Sequence, residues 1–237
     1  NPKTAIFGIL GTPVLHSRSP AYHNAQFRQA GLNAVYLPWH TDSTEAFFSL
    51  AEYLDVHSLS VTIPLKQAVL PYLASPDPVC KAVGACNTML RCGDGWFGTN
   101  TDVAGFLRPL MIEEPALQGK KITVIGAGGA ARAVLYGLLE AQARPCILNR
   151  TIDKAVELAA AFAADIPIPV ADLDDEQLLR EYSDCIIQTT SVGMYPHADR
   201  DPLPSYHFTG GELVYDIIIT PPETKFLRRA RAAGCRI

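Results

Sequence analysis

The stretch KITVIGAGGAARAVLYGLLEA, residues 121–141, constrains the fold more than any other part of the chain. Residues 121–126 are almost all apolar, as a strand must be when helices cover both faces of its sheet. A glycine-rich turn follows and leads into a helix expected over 128–141. Apolar runs at 144–150, 184–190 and 212–219 repeat the strand pattern, with a short edge strand expected at 166–170. Helical stretches at 151–164, around 174–181 and at 222–234 alternate with them. Such alternation builds a doubly wound parallel sheet with helices on both faces.

The first half is less regular. Strands are expected at 4–10, 34–40 and 58–63, and helices at 20–31, 43–54 and 65–74. Pro38 argues against a central place for part of the second strand. Residues 82–102 read as a β-hairpin turning at Gly93-Asp94-Gly95, followed by a helix over 103–111 with Thr101 or Asp102 near its N-cap. The polar, breaker-rich stretch from Glu113 to Lys120 is the best internal boundary. A chain of 237 residues suits one or two domains. With 48% apolar and 19% charged residues, it can build a core and is not a disordered tail. A net charge of −4 gives no support to nucleic-acid binding. No apolar run reaches the length of a membrane span, and NPKTAIFG does not read as a secretory signal. The six cysteines form no CxxC motif or Cys/His cluster. They read as reduced thiols of a cytoplasmic protein with no metal site.

Gly126-Ala127-Gly128-Gly129-Ala130-Ala131 fits GxGxxG/A between a strand and a helix, the setting of a dinucleotide site. Gly126 permits the tight turn, Gly128 lets backbone approach a pyrophosphate, and Ala131 lets the helix pack closely on the sheet. The next strand ends in Asn149-Arg150-Thr151, where an NAD site would carry Asp or Glu. Arg150 is either a solvated surface side chain or the partner of a 2′-phosphate, with Asn149, Thr151 and Lys154 in support. The second reading selects NADP. Thr190, Gly193 and Met194 follow a strand at its C-terminal end, where the glycine and methionine suit either a turn or a wall beside the nicotinamide.

Four polar clusters stand out in the first half. Ser17 and Ser19 precede a helix, either as a cap from Ser19 or as two hydroxyls facing one polyhydroxylated ligand. Lys66 is either solvated or aimed into a cleft, where it can donate a proton to an oxyanion. Asp102 is a helix cap or the carboxylate that holds this lysine. Asn87 satisfies a turn or joins the same pocket. A lysine, a carboxylate, amides and hydroxyls beside a nicotinamide suit reduction of a small carbonyl compound.

Together these blocks resemble the shikimate dehydrogenase family. They are Gly11–Asn24, Ser60–Lys66, Gly84–Thr88, Gly98–Phe106, Gly126–Ala133, Asn149–Ala155 and Thr190–Met194. The resemblance implies NADP-dependent, reversible reduction of 3-dehydroshikimate to shikimate, a step of chorismate and aromatic amino acid biosynthesis. It implies an α/β substrate domain with a mixed sheet over 1–102, a connecting helix and linker over 103–118, and a Rossmann domain over 119–219. The helix of 220–237 would return toward the first domain, in a monomer or homodimer. Ser17, Ser19, Thr62, Asn87 and Asp102 would bind substrate, and Lys66 with Asp102 would carry the acid–base step. Gly126, Ala127, Gly128, Gly129, Ala130, Asn149, Arg150, Thr151, Lys154, Thr190, Gly193 and Met194 would hold NADP. Ser60 replaces the family's usual asparagine, Ile219 replaces a substrate-side tyrosine, and the family's terminal glutamine-bearing segment is expected to be disordered or deleted. The alternatives are a paralogue oxidising quinate or a related cyclic polyol, and a non-catalytic NADPH-binding regulatory protein.

Overall fold

The computed structural model describes residues 3–93, 95–162 and 167–237. The chain divides into two compact units, Asn1–Thr101 and Asp102–Ile237.

The first unit is built on β1 (Ala5–Gly11), α1 (Ser19–Gln29), β2 (Ala34–His40), α2 (Thr44–Tyr53), β3 (Val56–Val61), β4 (Leu73–Pro76), α3 (Pro78–Val83), β5 (Thr88–Cys92) and β6 (Gly95–Thr99). Its six strands form one mixed sheet in the order β2-β1-β3-β5-β6-β4. Adjacent side chains on a strand face opposite ways. Leu10, Leu59 and Val61 therefore pack with Phe47, Phe48 and Ala51 of α2, while Ile9 and Tyr36 pack with Phe27 of α1 on the other face. Pro38 is tolerated because β2 is an edge strand.

Two expectations are corrected here. Residues 65–74 are not a helix; Pro71 lacks an N–H and its ring disfavours a continuous helix there. Successive turns lead instead to a single 3-10 turn at Leu70–Tyr72 and then to β4, which closes the sheet beside β6. The hairpin begins at Thr88 rather than at 82, since α3 occupies the preceding residues. The signals for α3 are local: Asp77 accepts from the backbone N–H of Cys80 at 2.6 Å, Pro78 sits in the first turn, and Gly84 ends the helix at φ +64°. Asp94, in the expected turn, lies outside the described residues.

The second unit comprises α4 (Asp102–Glu113), β7 (Lys121–Ile125), α5 (Gly129–Glu140), β8 (Arg144–Leu148), α6 (Ile152–Phe162), β9 (Val170–Ala171), α7 (Glu176–Glu181), β10 (Cys185–Gln188), β11 (Leu213–Asp216) and α8 (Lys225–Ala232). All five strands are parallel, in the order β11-β10-β7-β8-β9. Ile122 and Val124 bury against α4, α5 and α6, and Ile125, Leu148, Ile186 and Val214 bury against α7 and α8. This is the doubly wound sheet expected from the βα alternation. The edge strand expected at 166–170 is the two-residue β9, and residue 166 lies outside the described residues. The helix over 222–234 starts later, at Lys225, because Thr224 accepts from the N–H of Leu227 and caps it. Among the described residues no helix is long and apolar enough to cross a membrane. Of the six cysteines, all free, five are buried and Cys92 is exposed.

A buried carboxylate braces the start of β11. Glu212 is 2% exposed and accepts hydrogen bonds from the backbone N–H of Thr209 and Gly210, the Tyr206 hydroxyl and the Cys235 thiol. Burial alone would raise its pKa, but these donors outweigh burial and hold it at about 2, below the usual 4.5. A carboxyl group depressed on folding stabilises the protein fully above its unfolded pKa and loses that contribution as pH falls through the folded one. This group is therefore expected to contribute about 3 kcal/mol at neutral pH, lost between about pH 4.5 and 2. Glu212→Gln removes the charge and sets an amide N–H against existing donors. It is expected to destabilise by about 2–4 kcal/mol in denaturant titration at pH 7, with a smaller difference from wild type near pH 3.

Candidate active site

In the first unit, pairing registers bring the polar residues to one edge of the sheet. Leu10 of β1 lies opposite Val61 of β3, Ser60 opposite Thr88 of β5, and Thr88 opposite Thr99 of β6. The C-terminal ends of β1, β3 and β6 and the start of β5 therefore share that edge. Backbone hydrogen bonds sew their loops together. Thr12 N–H donates to Ile63, Thr62 to Leu10, and Val61 to Asn87. The carbonyl of Lys66 accepts from Cys86 N–H at 2.8 Å, which fixes the lysine's backbone to the loop carrying Asn87. Ser17, Ser19, Thr62, Lys66 and Asn87, all half-buried, stand on this set of loops.

Ser19 does not cap α1. It is the first helical residue, and its N–H donates to Ser17 Oγ at 3.2 Å. Asn87 is more than a turn former. Its Oδ1 accepts from Thr101 N–H at 2.9 Å and its Nδ2 donates to Thr101 Oγ1 at 3.0 Å, locking the start of β5 to the segment after β6. Asn100, 4% exposed, donates to the Ala85 carbonyl and reinforces the same junction. Sequence reasoning missed Thr101 as the partner of Asn87, although both lie in polar triplets at the ends of adjacent strands. Asp102 is the first residue of α4, where its carboxylate complements the helix dipole. Lys66 thus belongs to the first unit and Asp102 opens the second.

In the second unit, strand order reverses between β7 and β10, the switch point at which doubly wound sheets bind ligands. Gly126 stands there with φ +112°, and a Cβ on it would lie 2.7 Å from Thr189 Oγ1. Only glycine fits this approach of the two loops. A Cβ at Gly128 would meet nothing within 4 Å, so that backbone is open to a ligand. Gly128 is the N-cap of α5 and offers no capping side chain, and Ala131 is fully buried against the sheet. Ala127, Gly129 and Ala130 complete the turn, partly exposed. The N-terminus of α5 thus offers backbone N–H groups with no side chain over them.

Beyond β8, Asn149 donates its amide to the Thr151 carbonyl at 2.7 Å and shapes the turn that carries Arg150 and Thr151, both exposed, with Lys154 exposed in the first turn of α6. Beyond β10, buried Gln188 organises the loop. Its Oε1 accepts from the N–H and hydroxyl of Thr190, and its Nε2 donates to the Val192 carbonyl. Gly193 adopts φ +94° with the Arg200 carbonyl 3.2 Å from where a Cβ would stand, and Met194 follows it, half-buried. Gln188 went unnoticed in the sequence, though a glutamine ending an apolar strand was its signal. Asp216 accepts from the Thr224 hydroxyl at 2.7 Å and closes the loop that carries Ile219, which is 82% exposed.

A family model for the shikimate dehydrogenase substrate-binding domain matches residues 9–89, and one for shikimate/quinate 5-dehydrogenase matches residues 111–196. The chain belongs to the shikimate/quinate dehydrogenase family. Within that family it is 42% identical to the shikimate dehydrogenase (NADP(+)) of Moorella thermoacetica, over 99% of this chain and 82% of that protein. It is similar to the crystal structure of the Aquifex aeolicus shikimate dehydrogenase, with 35% identity, a TM-score of 0.87 and coverage of 100% and 86% of the two chains. It is also similar to the Thermus thermophilus shikimate 5-dehydrogenase, determined in complex with NADP(H) and shikimate. That match has 34% identity and a TM-score of 0.83, and covers 98% and 86% of the two chains. The family is thereby established, and the oxidoreductase class with it.

Gly126→Ala is expected to destabilise the second unit by about 1–3 kcal/mol, because a side chain at this φ is strained and collides with Thr189. Urea titration followed by far-UV circular dichroism checks this. Gly128→Ala is expected to leave stability nearly unchanged.

Proposed function

We propose that this protein reversibly reduces the ring ketone of 3-dehydroshikimate to the alcohol of shikimate with NADP. One observation carries the reading: loops leaving one sheet edge carry Thr62, Lys66 and Asn87, and the segment from β1 to α1 carries Ser17 and Ser19. These are hydroxyls, an amide and one amine, the groups that a small polyol acid with a carbonyl requires. NADP, when bound, supplies or accepts the hydride. The turn Gly126–Ala130 and the first turn of α5 would hold its pyrophosphate, with Thr190, Gly193 and Met194 beside the nicotinamide. Arg150, supported by Asn149, Thr151 and Lys154, would take the 2′-phosphate.

Ser17, Ser19, Asn87 and Asp102 would bind the hydroxyls and carboxylate of the substrate, and Thr62 would help hold its carboxylate end. In the reductive direction Lys66 Nζ donates a proton to the oxygen that gains negative charge. In the oxidative direction the neutral amine removes the hydroxyl proton. Preorganised donors around the oxygen lower the barrier because they need no rearrangement as charge develops. Ser60 and Ile219 leave quinate, or another cyclic polyol, as the second substrate to assay.

Initial rates with shikimate and quinate, each with NADP and NAD, test the reading. The expected preference is shikimate with NADP. A faster rate with quinate assigns the paralogue reading, and nucleotide binding without oxidation of either acid assigns the regulatory one. Lys66→Ala is expected to lower kcat by about a thousandfold with little change in shikimate binding. Arg150→Ala is expected to raise the KM for NADP about tenfold and to leave that for NAD nearly unchanged.

A further inference from the structure

We propose that Tyr36 is a positioning residue for the substrate edge, gripping α1 on one side and β3 on the other. The inference rests on the functional reading above and adds a residue to it.

Tyr36 is the only buried residue of β2, at 6% exposure. As an edge strand, β2 leaves one row of backbone groups without a strand partner. Asn24 of α1 fills that gap. Its Nδ2 donates to the Tyr36 carbonyl and its Oδ1 accepts from the Tyr36 N–H, both at 2.8 Å. His23 stacks on the Tyr36 ring with centroids 4.4 Å apart and planes within 20°. The phenol then reaches across the sheet and donates to Ser60 Oγ at 2.8 Å. One residue, through its backbone and its ring, therefore ties the helix that begins at Ser19 to the strand that leads into Thr62 and Lys66.

Two consequences follow for the polar loops. Ser17 and Ser19 lie at the start of α1, so the grip on Asn24 and His23 sets where they stand relative to β2. Ser60 lies two residues before Thr62 and opposite Thr88, the neighbour of Asn87. Holding Ser60 fixes β3 at the point where its chain turns toward Lys66. The Ser60 hydroxyl is short, and the phenol supplies the length that bridges the two elements. A hydroxyl that accepts from a phenol is also a better donor to a further acceptor.

The test is a double-mutant cycle on full-length protein with Tyr36→Phe, Ser60→Ala and the two combined. Phenylalanine keeps the ring and its stack on His23 and removes only the bridging hydroxyl. Each single variant is expected to raise the KM for shikimate about fivefold to tenfold, the loss of one hydrogen bond. Values of kcat and the KM for NADP should stay within about twofold. The double variant should be no worse than either single one, because both remove the same interaction. A fall in melting temperature with an unchanged shikimate KM would overturn the proposal and leave Tyr36 a purely structural residue. Additive effects would overturn it as well, since Tyr36 and Ser60 would then act independently. Wild-type protein that oxidises neither shikimate nor quinate overturns the functional reading itself, and this inference falls with it.

Discussion

Parallel strand pairing is the constraint on which the rest of the structure depends. Parallel strands leave their sheet at the same end and cannot be joined by tight turns, so their C-terminal loops crowd together. In the first unit this brings the loops after β1 and β3 side by side, and the antiparallel β5 returns its own start to the same edge. In the second unit it brings the turn after β7 against the loop after β10, closely enough that Gly126 can carry no side chain. Polar side chains on such loops converge without any deliberate cluster in the sequence. The chemistry proposed for the chain lives on these loops, and the buried faces of the strands only hold them in place.

The two units express that constraint with different amounts of local information. Gly126, Gly128 and Ala131 each have one backbone or packing reason for their identity, and their spacing alone announces the loop. The long apolar strands around them mark a sheet covered on both faces. These features are local in sequence, so the doubly wound sheet is legible in the sequence alone. The first unit is a mixed sheet whose last strand, β4, pairs with β6 after an irregular passage through Pro71. A four-residue strand between turns has no periodicity to read. The signals for α3, Asp77 with Pro78 and then Gly84, were present but masked by the apolar residues that follow.

Partners were less legible than positions. The polar residues of the first unit stand out by type, yet the sequence does not say that Asn87 brackets Thr101 or that Ser19 begins a helix instead of capping it. Those outcomes depend on how strands register, and a shift of one residue would exchange every face. Glu212 shows the same limit. In sequence it is one acid beside Gly210 and Gly211, and only the folded loop reveals two backbone N–H groups, a phenol and a thiol turned toward it. Tyr36 and Ser60 lie 24 residues apart and meet only because β1 separates their strands.

The central claim is that Lys66 exchanges a proton with the oxygen of a polyol acid bound on the loops of the first unit. A crystal structure of the protein soaked with shikimate and NADP tests it most directly. The account predicts the ring alcohol within hydrogen-bonding distance of Lys66 Nζ and the 2′-phosphate on Arg150. Shikimate bound away from the loops of β1 and β3, or with its alcohol out of reach of Lys66, would contradict it.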